Sequence, residues 1–150
     1  MIGEFVTVDE IIRVLGLEPH PEGGHFVETF RDMPVAGSER ATSTAIYFLL
    51  KRGEVSRWHT VDAAEIWHFH AGDPLVVTVK ADGGPRVAHI LGADLGKGER
   101  PQVVVPPHAW QMAAHDPAVP AVHGYTLVGC KVAPGFEFSG FKLAEPRFDP

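Results

Sequence analysis

The segment Arg57–Pro74, RWHTVDAAEIWHFHAGDP, carries the strongest indication of the fold and the functional site of this chain. It contains three histidines, two tryptophans and a glutamate, and it ends in a Gly-Asp-Pro turn. The β-branched and aromatic residues in its middle favour a strand over a helix. A strand so rich in metal-binding and stacking groups either lines a cavity or carries polar groups on an aromatic sheet.

The alternation of side chains along a strand sorts these groups into two faces. Glu65, Trp67 and Phe69 share one face, whereas His68 and His70 lie on the other. A buried carboxylate is costly unless it is paired, hydrogen-bonded or bound to metal. We therefore expect the first face to line a ligand cavity, and the two histidines to lie at a subunit interface or at the surface.

The composition is that of one folded domain over residues 1–150. Apolar residues make up 45% of the chain and charged residues 21%, which excludes a disordered chain. The formal net charge of −6 argues against a nucleic-acid partner, which requires a basic surface. The longest apolar run, AIYFLL, is too short to span a membrane. With no signal-peptide pattern and only one cysteine, Cys130, a cytoplasmic protein is expected.

The rest of the sequence predicts one helix followed by strands. In VTVDEIIRVLGL, Thr7 is placed to cap a helix over Val8–Leu15, and Gly16 is placed to end it. Beyond it, turn signals recur every 8–12 residues or so between short segments rich in β-branched and aromatic residues. The sequence thus predicts an all-β domain, either a sandwich or a barrel, with the helix covering one face or edge of a sheet.

The spacing of Gly53, His59, Glu65 and Gly72 resembles the first motif of the cupin superfamily. The segment VVVPPHAWQ resembles the second motif. More narrowly, HPEGGHFVETFR, HTVDAAEIWHFHAGDP and VPPHAWQ resemble, in order, the signature segments of the cupin-5 family of small cupins, formerly DUF985. This resemblance implies a double-stranded β-helix, that is, an antiparallel jelly-roll barrel over residues 44–143 with the helix packed outside it. It also implies a homodimer, but no particular substrate.

The chain departs from the usual cupin metal ligands at two positions. Val61 stands where the superfamily has a second histidine, and Gln111 stands where it has a third. His59, Glu65 and Gln111 would then form a weak three-ligand site for zinc, manganese, nickel or iron. The favoured alternative is a metal-free pocket, in which His59 and Glu65 hydrogen-bond each other or a ligand.

Three functions follow as hypotheses, all with a small-molecule ligand. The first is a metal-independent sugar or nucleotide-sugar isomerase or epimerase, with His59 as general base beside Glu65. The second is a metal-dependent oxygenase or isomerase, and the third is a non-catalytic binding module. The residues predicted to contact the ligand are Trp67, Phe69, Gln111 and Tyr47.

The segment before the sheet is harder to interpret. Glu22, Gly23 and Gly24 do not form a phosphate loop, because no helix follows them. For the neighbouring His25, entry into a binding site and an exposed or capping position are both open. The sequence gives no role to His20.

Overall fold

Two antiparallel sheets face each other across an apolar core in the computed structural model, which describes residues 6–150. The strands in chain order are β1 (Glu18–Pro19), β2 (His25–Arg31), β3 (Thr44–Lys51), β4 (Ser56–Val61), β5 (Ala64–Gly72), β6 (Leu75–Lys80), β7 (Arg86–Leu91), β8 (Gln102–Val105), β9 (Trp110–Ala114), β10 (Tyr125–Ala133) and β11 (Phe141–Leu143). One sheet has the order β1-β2-β3-β10-β5-β8 and the other β11-β4-β9-β6-β7. The predicted all-β jelly roll is confirmed.

The core lies between the two sheets and follows the alternation of each strand. In β6, Leu75 and Val77 point inward and are fully buried, and Phe48 on β3 and Val128 on β10 face them from the other sheet. Burial of each such side chain contributes about 1.5–3 kcal/mol to folding. This packing holds the strand ends that carry the polar residues described below.

The one α-helix within residues 6–150, α1 (Val8–Leu15), packs outside the sandwich as predicted. The Thr7 hydroxyl accepts a hydrogen bond from the Glu10 backbone N–H at 3.2 Å, and Gly16 ends the helix in the left-handed conformation at a φ of 69°. Ile11 packs with Leu49 and Tyr125 on the outer face of the six-stranded sheet. Within residues 6–150, no helix has the length and apolar character needed to cross a bilayer.

The C-terminal segment FEFSGFKL contains a 3-10 helix (Phe138–Gly140) followed by the short β11. Gly140 approaches Asp62 so closely that a Cβ on it would lie 2.4 Å from the carboxylate, and its carbonyl accepts the Asp62 N–H at 3.1 Å. This contact bends the chain toward the turn between β4 and β5. The segment Arg57–Pro74 contains most of β4, that turn and all of β5, and the two strands lie in different sheets.

Candidate functional site

A cavity of about 310 Å³ lies between the sheets, beside β4 and β5. Most of its wall is apolar and aromatic; the aromatic side chains are Phe26, Phe136, Phe138 and Phe141. Among the described residues, seven acidic or basic side chains interrupt this apolar wall. The four discussed first are His20, Glu22, His59 and Glu65, and the other three are Glu28, Arg31 and Glu137. Such a cavity has the size and mixed lining of a small-molecule site.

An ion pair between His59 and Glu22 forms the centre of the site. His59 Nε2 lies 2.8 Å from Glu22 Oε2, and both side chains are almost completely buried. The hydroxyl of Ser56 donates to the same oxygen at 2.9 Å. His59 Nδ1 lies 2.6 Å from the carbonyl oxygen of Arg57, which can only accept. With one acceptor at each ring nitrogen, His59 is an imidazolium that donates from both.

The charges of this pair follow from a balance of opposing effects. Burial disfavours the charged form of both groups, but the charge of Glu22 and its hydrogen bond outweigh burial and raise the pKa of His59 to about 9. Burial likewise opposes ionisation of Glu22, yet the charge and hydrogen bond of His59 hold its pKa below the ordinary value. At neutral pH the pair is therefore ionic.

Glu65 lies beside this pair in a different state. Burial raises its pKa to about 7; the charge of Glu22 acts in the same direction, and that of His59 acts against it. Its Oε1 accepts a hydrogen bond from Gln111 Nε2 at 2.8 Å, and no partner for Oε2 is found among residues 6–150. Glu65 thus has one oxygen open to the cavity and exchanges its proton near neutral pH.

A buried hydrogen bond fixes Gln111 behind Glu65. The indole N–H of Trp67 donates to Gln111 Oε1 at 2.8 Å. Because an indole N–H can only donate, the amide oxygen must face Trp67 and the amide nitrogen must face Glu65. The chain Trp67–Gln111–Glu65 therefore holds the carboxyl group in one orientation.

A glycine turn before β2 brings Glu22 to His59. Gly23 has a φ of 114°, and a Cβ on it would lie 2.1 Å from the carbonyl oxygen of Val55. The Arg57 N–H then donates to the Glu22 carbonyl at 2.8 Å, so the turn is held against the start of β4. Only glycine permits both the left-handed backbone and this close approach.

The family model Cupin_5, described as "Cupin superfamily (DUF985)", matches residues 9–144. The chain belongs to this family. The comparison with curated proteins gives no match.

Solved structures agree with this cupin assignment. A protein from Shewanella oneidensis is 38% identical, with a TM-score of 0.85 over 93% of this chain and 85% of that one. A hypothetical protein from Leishmania major is 33% identical, with a TM-score of 0.83 over 93% of this chain and 88% of that one. Oxalate decarboxylase from Bacillus subtilis shares the fold at a TM-score of 0.60 and 16% identity, over 84% of this chain and 29% of its own longer chain.

The residues at the cupin metal positions do not suit a metal ion. Both nitrogens of His59 donate hydrogen bonds, and a ligating imidazole needs a free lone pair. The oxygen of Gln111, its only ligating atom, accepts from Trp67. Among the residues that the structure describes, no group of three or more His, Cys, Asp or Glu side chains is arranged to hold a metal. In this cupin, the partner of His59 is Glu22.

The residues predicted as catalytic or ligand-binding lie at different depths. His59 and Glu65 line the cavity, and Gln111 lies behind Glu65. Trp67 belongs to the core with 1% exposure, so it supports the site without lining it. Phe69 packs against that core, and Tyr47 packs with the helix on the outer face of the sheet. Neither is among the described residues that line the cavity.

Of the other histidines discussed, some line the cavity and some do not. His68 and His70, together with Phe69, border a separate depression. His25 is not among the described cavity-lining residues, whereas His20 is. Neither His20 nor Glu22 is predicted from the sequence as a site residue. The available signal was three titratable residues, His20, Glu22 and His25, clustered around two adjacent glycines.

Proposed function

We propose that this cupin binds a small uncharged sugar-like molecule in its cavity and catalyses proton transfer on it without metal, as an isomerase or epimerase. The observation that carries the proposal is Glu65: a buried carboxyl group with a pKa of about 7 and one oxygen open to an apolar cavity. A general base is most effective when its pKa lies near the working pH.

In this proposal the general base is Glu65 and not His59, which was the base expected from the sequence. His59 is protonated at neutral pH and donates from both ring nitrogens, so it has no lone pair to accept a proton. Its positive charge instead offsets that of Glu22 and favours negative charge that develops on the substrate. Glu65 removes the proton next to a carbonyl group. The same carboxyl group returns the proton to the former carbonyl carbon, which isomerises the sugar, or to the other face of the original carbon after the enediolate turns over, which epimerises it.

The charges around the cavity favour a substrate without phosphate. Arg31 is the one arginine or lysine among the described residues that line the cavity, and both Glu28 oxygens accept from it, at 2.8 and 2.9 Å. Arg31 also donates to the Phe136 carbonyl oxygen at 3.0 Å. A diphosphate would find no unpaired cation, so a free sugar fits better than a nucleotide sugar.

Proton exchange in D₂O tests the proposal. The wild-type protein is incubated with D-ribose, D-arabinose, D-glucose and D-fructose, and incorporation of deuterium next to the carbonyl carbon is followed by NMR. We expect exchange on at least one sugar, lowered by a factor of about 100 or more in Glu65→Gln. Glu39→Gln, an exposed glutamate, serves as the matched control and retains the wild-type rate.

Two results would contradict the proposal. Exchange at the wild-type rate in Glu65→Gln would remove Glu65 from the chemistry. Saturable binding of a sugar without any exchange would leave the protein as a binding module.

A further inference from the structure

We propose that His20 binds the substrate through its Nε2–H, which donates a hydrogen bond to the carbonyl oxygen of an uncharged α-hydroxy aldehyde or ketone. This inference rests on the proposed function and narrows it. It gives the cavity a hydrogen-bond donor to act together with the base Glu65.

The backbone of Glu22 fixes the tautomer of His20. The Glu22 N–H lies 3.1 Å from His20 Nδ1, and because a backbone N–H can only donate, Nδ1 must be unprotonated. Glu22 Oε1 also lies near Nδ1, at 3.5 Å, but this exceeds a good hydrogen-bond length, so the shorter backbone contact decides. The ring proton is therefore on Nε2.

The neutral form of His20 agrees with this geometry. Burial is the largest effect and lowers its pKa; the charge of Glu22 opposes burial with a smaller effect, and the charge of His59 adds to the lowering. A neutral imidazole that carries its proton on Nε2 is a directed donor. Nε2 has no hydrogen-bond partner among residues 6–150, and the ring lines the cavity.

Aromatic contacts hold the ring in place. The His20 ring meets the edge of Phe26 at a centroid distance of 4.6 Å, and it meets Phe48 and Phe141 edge-on at 5.9 Å each. A donor held in this way needs no rearrangement when charge develops on the substrate, which is the condition for strong electrostatic catalysis.

The reaction balances without another reactant. The carboxylate of Glu65 takes the proton from the carbon next to the carbonyl group. The electrons of that C–H bond form a carbon–carbon double bond, and the carbonyl oxygen gains negative charge, which the His20 N–H stabilises. For isomerisation, the hydroxyl proton of the enediolate moves to the former carbonyl oxygen, and Glu65 returns its proton to the former carbonyl carbon. For epimerisation, Glu65 returns the proton to the opposite face of the original carbon after the enediolate turns over in the cavity. Both routes regenerate the carboxylate of Glu65.

Two substitutions at position 20 separate the donor from the rest of the side chain. His20→Gln places an amide N–H near the position of Nε2, whereas His20→Asn can keep an acceptor for the Glu22 N–H but loses the donor into the cavity. On a sugar that the wild-type protein exchanges, we expect His20→Asn to lower the deuterium-exchange rate about 100-fold and His20→Gln to stay within about tenfold of wild type.

The nitrogen chemical shifts of His20 supply a readout that does not depend on catalysis. Long-range ¹H–¹⁵N spectra should show Nε2 protonated and Nδ1 unprotonated, and addition of D-ribose or D-fructose should move the Nε2 signal more than the Nδ1 signal. A ring protonated on Nδ1, or an Nε2 signal that none of the four sugars moves, would overturn the inference.

The two proposals fail in different ways. If Glu65→Gln abolishes exchange while His20→Asn exchanges at the wild-type rate, the role of His20 is wrong and the proposed function stands. If Glu65→Gln exchanges normally, the proposed function is wrong. Sugar-induced movement of the Nε2 signal would then still support His20 as a binding residue.

Discussion

The protonation state of Glu65 determines how the exchange rate depends on pH. Glu65 must be ionised to accept a proton, and its pKa of about 7 sets the acidic limb of the rate profile. We expect the exchange rate to rise about tenfold per pH unit below 7 and to level off above it. Above about 9, His59 loses its proton, and the uncompensated charge of Glu22 opposes negative charge on the substrate, so the rate should fall. A profile that is flat from pH 5 to 10 would contradict these assignments.

Glu65 should also lower the free energy of unfolding at neutral and alkaline pH. Folding raises the pKa of Glu65 from 4.5 to about 7, so the folded state binds its proton more tightly, and this contribution to stability is lost as pH rises through that range. Each pKa unit corresponds to about 1.4 kcal/mol, so Glu65→Gln should gain about 3 kcal/mol relative to wild type between pH 4.5 and 8. Urea unfolding at both pH values measures this difference. Glu39→Gln should show no such change, and an equal effect in both variants would refute the explanation.

At the scale of elements, residues 134–143 close one side of the cavity. The side chain of Arg40 holds this segment: it donates to the Gly135 carbonyl at 2.7 Å and to both oxygens of Asp62 at 2.7 and 3.0 Å. Phe136, Phe138 and Phe141 from this segment line the cavity.

Replacement of Arg40 should therefore loosen this segment. In Arg40→Met we expect faster amide hydrogen exchange at Gly135 and Gly140 and a loss of stability of about 2 kcal/mol, because charged hydrogen bonds are removed. Arg13→Met, on the exposed side of the helix, serves as the control. Unchanged exchange at both glycines would show that Arg40 does not hold the segment.

Features that are encoded by neighbouring residues could be predicted from the sequence. Features that depend on contacts between residues far apart in the sequence could not. The caps at Thr7 and Gly16 act within one helix, so the sequence was sufficient to predict both ends of α1. The pairing of Glu22 with His59 depends on a turn that meets β4 across the fold, and no periodicity encodes it. The alternation of β5 correctly directed Glu65 inward, but it could not separate a cavity wall from the core in which Trp67 lies.

For the whole molecule, we predict a homodimer formed through the outer face of the six-stranded sheet. β8 is an edge strand of that sheet, and exposed edges favour pairing or cover. Val104 on β8 is 58% exposed and pairs with Ile66, which borders an apolar depression together with Phe30, itself 52% exposed.

Light scattering after size-exclusion chromatography measures the assembly. At micromolar concentration, the wild-type protein should elute with twice the mass of the chain, and Val104→Glu should shift it toward the monomer. Val87→Glu, an exposed valine on the other sheet, should leave the mass unchanged. A monomeric wild-type protein would contradict the prediction.

The hydrogen-bonded chain from Trp67 through Gln111 to Glu65 gives the protein an optical reporter of its own chemistry. Of the three tryptophans, Trp67 alone is among the fully buried side chains, and its N–H is coupled through one amide to the carboxyl group that gains and loses a proton. Ionisation of Glu65 places a negative charge at the far end of this chain and alters the electric field on the indole. The emission maximum of a protein that retains only Trp67 should therefore follow the proton on Glu65, so that occupancy of the cavity can be monitored by fluorescence before any substrate has been identified.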